Sequence, residues 1–187
     1  MNKKNINNIA NFAVKFSEEV ANKECLTVDD ISLNFNQFSV LVTSYAKKLK
    51  KLNLNKGDRV GILLFNSIEY LLLMYASMYA GFVPVNINAR YKAKELNYVL
   101  HDSKCKILFT SSQSDEVTNF SEIISSVYDS TEGQPEELID VYIIGGSKDN
   151  RFRDFKEFES IFVDDSLNEE ATGSEDDPAF IMYTSGT

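Results

Sequence analysis

Residues 59–110 read RVGILLFNSIEYLLLMYASMYAGFVPVNINARYKAKELNYVLHDSKCKILFT, and the alternation within them decides the fold class. RVGILLF is a continuous apolar run. It suits a strand covered on both faces, as in a parallel sheet, better than the in–out alternation of a half-exposed strand. Asn66-Ser67 can cap a helix from Ile68 to Ala80, and Gly81 can end it, because glycine adopts the left-handed conformation that closes a helix. Phe82 to Asn86 reads as a short strand. Tyr91 to Asp102 is amphipathic through Leu96, Val99 and Leu100, and Lys106 to Thr110 is another apolar strand. The order β-α-β-α-β with short turns predicts an α/β fold: a doubly wound, mostly parallel sheet with helices on both faces.

Toward the N-terminus, Ile6, Ile9, Ala13, Phe16 and Val20 recur every three or four positions, which predicts a helix over Asn5 to Ala21. Leu26, Val28, Ile31, Leu33 and Phe35 alternate with polar residues around Asp29-Asp30 and predict a β-hairpin. A further helix is expected from Asn36 to Leu52, with Leu41, Tyr45, Leu49 and Leu52 on its inner face. Lys47, Lys48, Lys50 and Lys51 should then solvate its outer face. Asn55 to Asp58 is a turn, with Gly57 suited to a positive φ. Toward the C-terminus, Phe120 to Val127 and Phe155 to Phe162 read as helices and Val141 to Ile144 as a strand. Asp129 to Glu137 reads as a polar turn region. Asp164 to Asp177 is acidic and poor in apolar residues, hence a loop. Ala179 to Tyr183 is a last strand. The expected organisation is residues 1–58 as N-terminal helices and hairpin, 59–110 as the βαβαβ core, 111–175 as a variable acidic segment, and 176–187 as a strand and loop.

The net charge of −9 is uneven: residues 1–110 carry 15 Lys/Arg and 9 Asp/Glu, whereas 111–187 carry 4 and 19. The acidic half argues against nucleic-acid binding, which needs a basic footprint. The longest apolar stretch, Tyr70 to Val85, is interrupted by Ser77, Gly81 and Pro84, so no transmembrane segment is expected. No apolar core of a secretory signal follows the first lysines. Cys25 and Cys105 have no metal-type spacing and read as reduced thiols of a cytoplasmic protein.

The strand Ala179 to Tyr183 runs straight into Thr184-Ser185-Gly186-Thr187. Glycine permits a sharp turn and close approach, and hydroxyls with successive N–H groups can surround phosphate oxygens at the carboxyl end of a strand. Read alone, the segment is a hydroxyl-rich turn, and no Walker-type loop occurs. Tyr183-Thr-Ser-Gly-Thr, however, resembles the opening of the signature loop of the adenylate-forming, acyl-activating (AMP-binding) enzymes. LNLNKGDRV at 52–60, the helix Glu69 to Gly81, Val83-Pro84-Val85-Asn86, Asn88-Ala89-Arg90-Tyr91, and Glu95-Leu96 to Asp102-Ser103 stand in that family's usual order. Acyl-CoA synthetases are the members it resembles most.

The resemblance implies part of the large N-terminal domain of that fold. It also implies an ATP-dependent ligase that forms an acyl-adenylate from a carboxylic acid and then a thioester with coenzyme A. Thr184, Ser185, Gly186 and Thr187 would bind the ATP phosphates, with Mg²⁺ sharing the charge. No catalytic residue and no metal ligand is expected within these residues. The family's usual continuation, Thr-Gly, a variable residue and Pro-Lys-Gly, would lie beyond these 187 residues. The 187 residues alone are therefore expected to be inactive and, with an unpaired strand edge, to self-associate. The competing reading is a non-catalytic binding or interaction module with a flavodoxin-like α/β fold. His101, the single histidine, reads as a surface or cap residue, and Arg90 as an ion pair or loop anchor. Asp29-Asp30 and Asp176-Asp177 read as turns. Tyr70, Tyr75 and Tyr79 read as core. Neither the acid substrate nor the oligomeric state is legible in the sequence.

Overall fold

The computed structural model describes residues 9–131, 133–164, 172 and 175–184. Their contacts divide into two compact units. One comprises residues 1–57, 66–83 and 162–179, and the other 58–65, 84–161 and 180–187.

In the first unit, strands β1 (Glu24–Val28) and β2 (Ile31–Asn34) pair antiparallel with Val28 opposite Ile31, and Asp29 takes a φ of 51° at the turn. The hairpin stands where the alternation placed it. Helix α1 (Phe35–Leu49) starts at Asn34, whose side chain accepts from Gln37 N–H while the Gln37 side chain accepts from Asn34 N–H. This reciprocal cap satisfies two helix-end donors at once, and it draws Phe35 out of the expected strand. The buried face of α1 is Phe38, Val42, Tyr45 and Leu49; Leu41 and Leu52 are only half-buried, so the helix is rotated from the expected stripe. Phe38 meets α2 (Ile68–Ala80) edge-on at Tyr75, 5.7 Å between ring centroids. That helix spans the expected residues, capped by Ser67 and ended by Gly81 at φ 84°. Tyr79 is buried, and Tyr70 and Tyr75 are half-buried.

Two expectations in this unit fail. Residues 9–13 form only a 3₁₀ turn, and Val14 and Lys15 N–H bond Asn11 O before the chain turns again at Ser17 to Ala21. The apolar residues are used singly instead of as a stripe: Ala13 is buried, and Phe16 tilts against Phe35 at 5.6 Å. Asn5 to Asn8 lie outside the described residues. Lys47 does not solvate an outer face; it is 7% exposed and its Nζ donates to Asp164 O at 2.8 Å. A lysine stem can lie along apolar surface while its ammonium reaches a carbonyl.

The second unit carries most of the six-stranded sheet, order β7-β6-β5-β3-β4-β8. Its strands are β3 (Arg59–Ile62), β4 (Val83–Asn86), β5 (Cys105–Ser111), β6 (Asp140–Ile144), β7 (Arg153–Asp154) and β8 (Ile181–Met182). The pairs β3–β5, β5–β6, β6–β7 and β4–β8 are parallel. β7 was not expected, because two residues carry no period. Helices α3 (Ala93–Asp102) and α4 (Phe120–Tyr128) cover one face through Leu96, Val99, Leu100, Phe120, Ile124 and Val127, which cluster with Leu108, Val141 and Ile143 of the strands. Helix α5 (Phe155–Glu159) covers the other face. Its Phe155 and Phe158 meet Phe109 at 5.9 and 5.1 Å, and Phe109 stacks on Tyr142 at 5.3 Å. Leu108 pairs with Val141 and Phe109 with Tyr142, so successive residues of one strand feed opposite faces. Gly61 of β3 stands opposite Leu108 of β5. A Cβ there would stand 2.9 Å from Cys105 Sγ and 3.0 Å from Leu108 Cδ1.

Chain order and sheet order together locate the point where the winding reverses. From β3 the chain steps to β4 on one side, returns past β3 to β5, and continues to β6 and β7. Loops leaving the carboxyl ends of β3 and β5 therefore diverge, which is where open α/β sheets keep ligand crevices.

Candidate functional site

Because the strands are parallel, their carboxyl ends share one edge of the sheet. β8 lies parallel beside β4, with Ile181 opposite Val85 and Met182 opposite Asn86. The chain leaving β8 thus emerges next to Ile87–Tyr91, which leaves β4. Thr184 stands exposed on that edge, two residues past the last paired residue of β8. Ser185, Gly186 and Thr187 lie outside the described residues.

What holds Tyr183, immediately before the loop, is the most specific geometry on this edge. Its hydroxyl donates to Asp102 Oδ2 at 2.6 Å, and its carbonyl accepts from Tyr91 Oη at 3.3 Å. Its ring meets Tyr98 edge-on, 6.2 Å between centroids. Burial first, then the hydrogen bond to the Asp102 carboxylate and its charge, push the phenol well above its ordinary value. Tyr183 therefore remains a donor. Asp102 is the last residue of α3, at the negative end of the helix dipole, where a carboxylate is unfavourable without a donor. That mismatch is a signal readable in the sequence: an acidic residue closing a helix asks for a partner, although it does not say which. Tyr91, Tyr98 and Asp102 are the site-shaping residues that sequence reasoning did not single out.

At the point of reversal, Phe65 and Ser112 to Asp115 line an open crevice of about 660 Å³. The loops after β4 and β5 are laced together above the end of β3. Arg90 donates to Asp115 Oδ2 at 2.7 Å and to Thr118 Oγ1 at 3.2 Å, and its guanidinium lies 5.9 Å from the Phe65 ring centroid. Lys92 Nζ donates to Val117 O at 2.6 Å. Phe65 in turn packs on Phe120 at 4.7 Å. Arg90 is thus the loop anchor expected of it. The side chains of the pair are 57% and 36% exposed, so its worth is register, with little contribution to stability. The Val117 and Thr118 N–H groups, followed by Arg90, hold the Asp115 carboxyl below its ordinary range.

The remaining candidates take structural places. His101 is exposed in the last turn of α3. Asp29 and Asp30 form the hairpin turn, and Asp177 pairs with Lys56 at 2.9 Å. Cys25 and Cys105 are free thiols; Cys105 is fully buried, and burial pushes it up to about 12. Among the described residues no group of three His, Cys, Asp or Glu side chains could hold a metal ion. Among them also, no helix is long and apolar enough to cross a membrane.

The family model of the AMP-binding enzymes matches residues 13–187. A long-chain-fatty-acid–CoA ligase of Mycobacterium tuberculosis is 32% identical over 158 residues, 84% of this chain and 28% of that protein. A mitochondrial medium-chain acyl-CoA ligase of Rattus norvegicus is 37% identical over 92 residues, 48% of this chain and 15% of that protein. Among solved structures, an anthranilate CoA ligase in complex with anthranoyl-AMP superposes with a TM-score of 0.81. That match covers 96% of this chain and 32% of that one, and at 23% identity it speaks to fold alone. A fatty acyl CoA synthetase of Mycobacterium tuberculosis gives 0.67 at 28% identity, over 83% and 28% of the two chains. The chain thus spans about a third or less of the length of these relatives.

Proposed function

Given that the chain belongs to the AMP-binding enzyme family, we propose that the whole protein is an ATP-dependent carboxylate ligase and that these residues supply part of its nucleotide-binding domain. A carboxylate is a poor electrophile because its charge repels nucleophiles. In the proposed first step its oxygen attacks the α-phosphorus of ATP, and the bond to the bridging oxygen breaks, releasing pyrophosphate and leaving an acyl-adenylate. In the second, a thiol attacks the acyl carbon, loses its proton and displaces AMP, giving a thioester. Coenzyme A is the proposed thiol and a fatty acid the proposed acid, from the kinds of ligase that resemble this chain. The free thiols suit the reducing cytoplasm, where we place the protein.

The observation that carries this reading is the parallel addition of β8 beside β4. It brings Thr184 to the carboxyl edge of the sheet. In the proposed ligase, Thr184, Ser185, Gly186 and Thr187 offer hydroxyl and backbone N–H donors to the β- and γ-phosphates while charge moves onto pyrophosphate. Donors already aimed at developing charge cost little reorganisation. ATP enters such reactions with Mg²⁺, and among the described residues no group of three His, Cys, Asp or Glu side chains could hold the ion. The test is exchange of labelled pyrophosphate into ATP by the whole protein across a panel of carboxylic acids, followed by thioester formation on adding coenzyme A. Exchange that depends on a fatty acid is expected. ATP turnover indifferent to every acid would sink the reading.

A further inference from the structure

The short segment 88–92, which leaves β4 and leads into α3, is tied to a neighbour on each side. Toward the loop after β5, Arg90 Nη1 donates to Asp115 Oδ2 at 2.7 Å and to Thr118 Oγ1 at 3.2 Å. Lys92 Nζ donates to Val117 O at 2.6 Å, and Thr118 Oγ1 donates to Ala89 O at 3.4 Å. Toward β8, Tyr91 stands between the two cations and its Oη donates to Tyr183 O at 3.3 Å. In the sheet order β3 and β5 lie on one side of β4 and β8 on the other, so three consecutive side chains reach opposite neighbours. The segment is also closed on itself. Asn88 O accepts from Tyr91 N at 3.1 Å, Asn88 Oδ1 accepts from Arg90 N at 2.9 Å, and Lys92 N donates to Glu95 Oε2 at 3.1 Å. A displacement on one side therefore has little slack in which to be absorbed. Each neighbour depends on these ties. β8 has two residues in register with β4. The turn at 115–118 is closed by Asp115 Oδ1, which accepts from Val117 N and Thr118 N, but those bonds do not fasten it to the sheet.

We infer that residues 88–92 couple β8 to the loop after β5: Arg90 and Lys92 on one side and Tyr91 on the other make each neighbour firmer when the other is in place. That loop lines the crevice where the winding reverses, and β8 carries the chain to the same carboxyl edge. The coupling therefore joins two separate places on that edge. It is reciprocal: whatever firms one side favours the other by the same factor. The inference goes beyond the ligase reading and does not depend on it.

The test is amide hydrogen exchange of the whole protein, read by mass spectrometry in the peptides that cover 112–119 and 180–184, with β5 and β6 as the internal reference. Arg90→Met removes the ties to Asp115 and Thr118 and alters no contact of β8. Exchange is expected to rise in 112–119 and also, by about three- to tenfold, in 180–184, the scale of coupling between residues of one network. Tyr91→Phe removes a single hydroxyl from the other side. It is expected to raise exchange in 180–184 and, by a similar factor, in 112–119. Asp115→Asn repeats the first arm with a smaller change and keeps the test open should Arg90→Met fail to fold. Asp115→Asn combined with Tyr91→Phe should raise exchange in 180–184 by less than the product of the two single increases, because a segment released on one side transmits less to the other. Increases confined to 112–119 in Arg90→Met and Asp115→Asn, or confined to 180–184 in Tyr91→Phe, would overturn the inference. So would single increases that multiply in the double variant.

Discussion

Arg59→Met tests how the structure holds α3 in place. The guanidinium lies at the start of β3 and donates to the carbonyls of Ser103 and Lys104, at the turn between α3 and β5. Those carbonyls belong to the end of a helix, where acceptors lack intrahelical partners and a cation is favoured. Ser103 is buried, so losing its donor leaves a desolvated acceptor; Lys104 is exposed, and water can replace its donor. A hydrogen bond to a charged group contributes about 1.5–3 kcal/mol. The Arg59 side chain is 24% exposed, so one bond counts near full value and the other for little, and a loss of about 2–3 kcal/mol is expected. For a chain of this size that is a fall in Tm of roughly 5–10 °C. Methionine preserves the unbranched stem, which limits the change to the polar end. The assay is urea unfolding followed by far-UV circular dichroism, read as a shift in midpoint at unchanged slope. Arg59→Lys separates geometry from charge. It keeps a cation near the helix end, worth about 0.3–1 kcal/mol, but not the fork, so it should recover less than half of the loss. A destabilisation by Arg59→Met below about 1 kcal/mol, set against that hydrogen-bond scale, would refute the reasoning. So would a lysine variant as stable as the original.

Three further outcomes are expected. Gly61→Ala forces a Cβ against Cys105 Sγ and Leu108 Cδ1 and should destabilise by about 1–3 kcal/mol, the usual effect of overpacking; an unchanged melting temperature would show that β3 and β5 can separate. The Cys105 thiol, buried and raised to about 12, should resist a thiol reagent at pH 8 until the protein unfolds, whereas half-buried Cys25 should react slowly in the folded state. Two fast thiols in native buffer would contradict the packing. Asp115, held by the Val117 and Thr118 N–H groups, Glu137, held by Lys106, and Asp149, held by Arg151, all titrate below their ordinary values of 3.8, 4.5 and 3.8. A depressed carboxyl favours the folded state above its unfolded value and loses that contribution as pH falls, because the unfolded chain takes up protons first. Stability should therefore drop as pH falls below about 4.5, near the ordinary carboxylate values. Asp115→Asn should flatten that acid limb, and an identical limb in the variant would remove Asp115 from the account.

Local chemistry made much of this protein readable in one dimension. Ser67 and Gly81 bound α2 because a hydroxyl cap and a left-handed glycine are requirements of helix ends, whatever surrounds them. The hairpin, β3 and β5 follow from period and continuous apolarity. The family resemblance was also legible, because it resides in the order of short motifs. Features that depend on distant partners were not. The stripe from Ile9 to Val20 looked helical, yet Phe16 is spent on Phe35 and the chain turns. Lys47 sits in a solvated-looking run, yet a carbonyl 117 positions away takes its ammonium. β7 exists only because Tyr142 and Ile143 offer it an edge. The candidate site divides in the same way. Thr184 to Thr187 could be named through the family resemblance of the motifs around them; by residue type alone they read as a hydroxyl-rich turn. That β8 pairs with β4, and that Tyr91 and Asp102 hold Tyr183 from 92 and 81 positions away, depended on how the chain winds. A hydrogen bond is set by distance in space, and no local period encodes it.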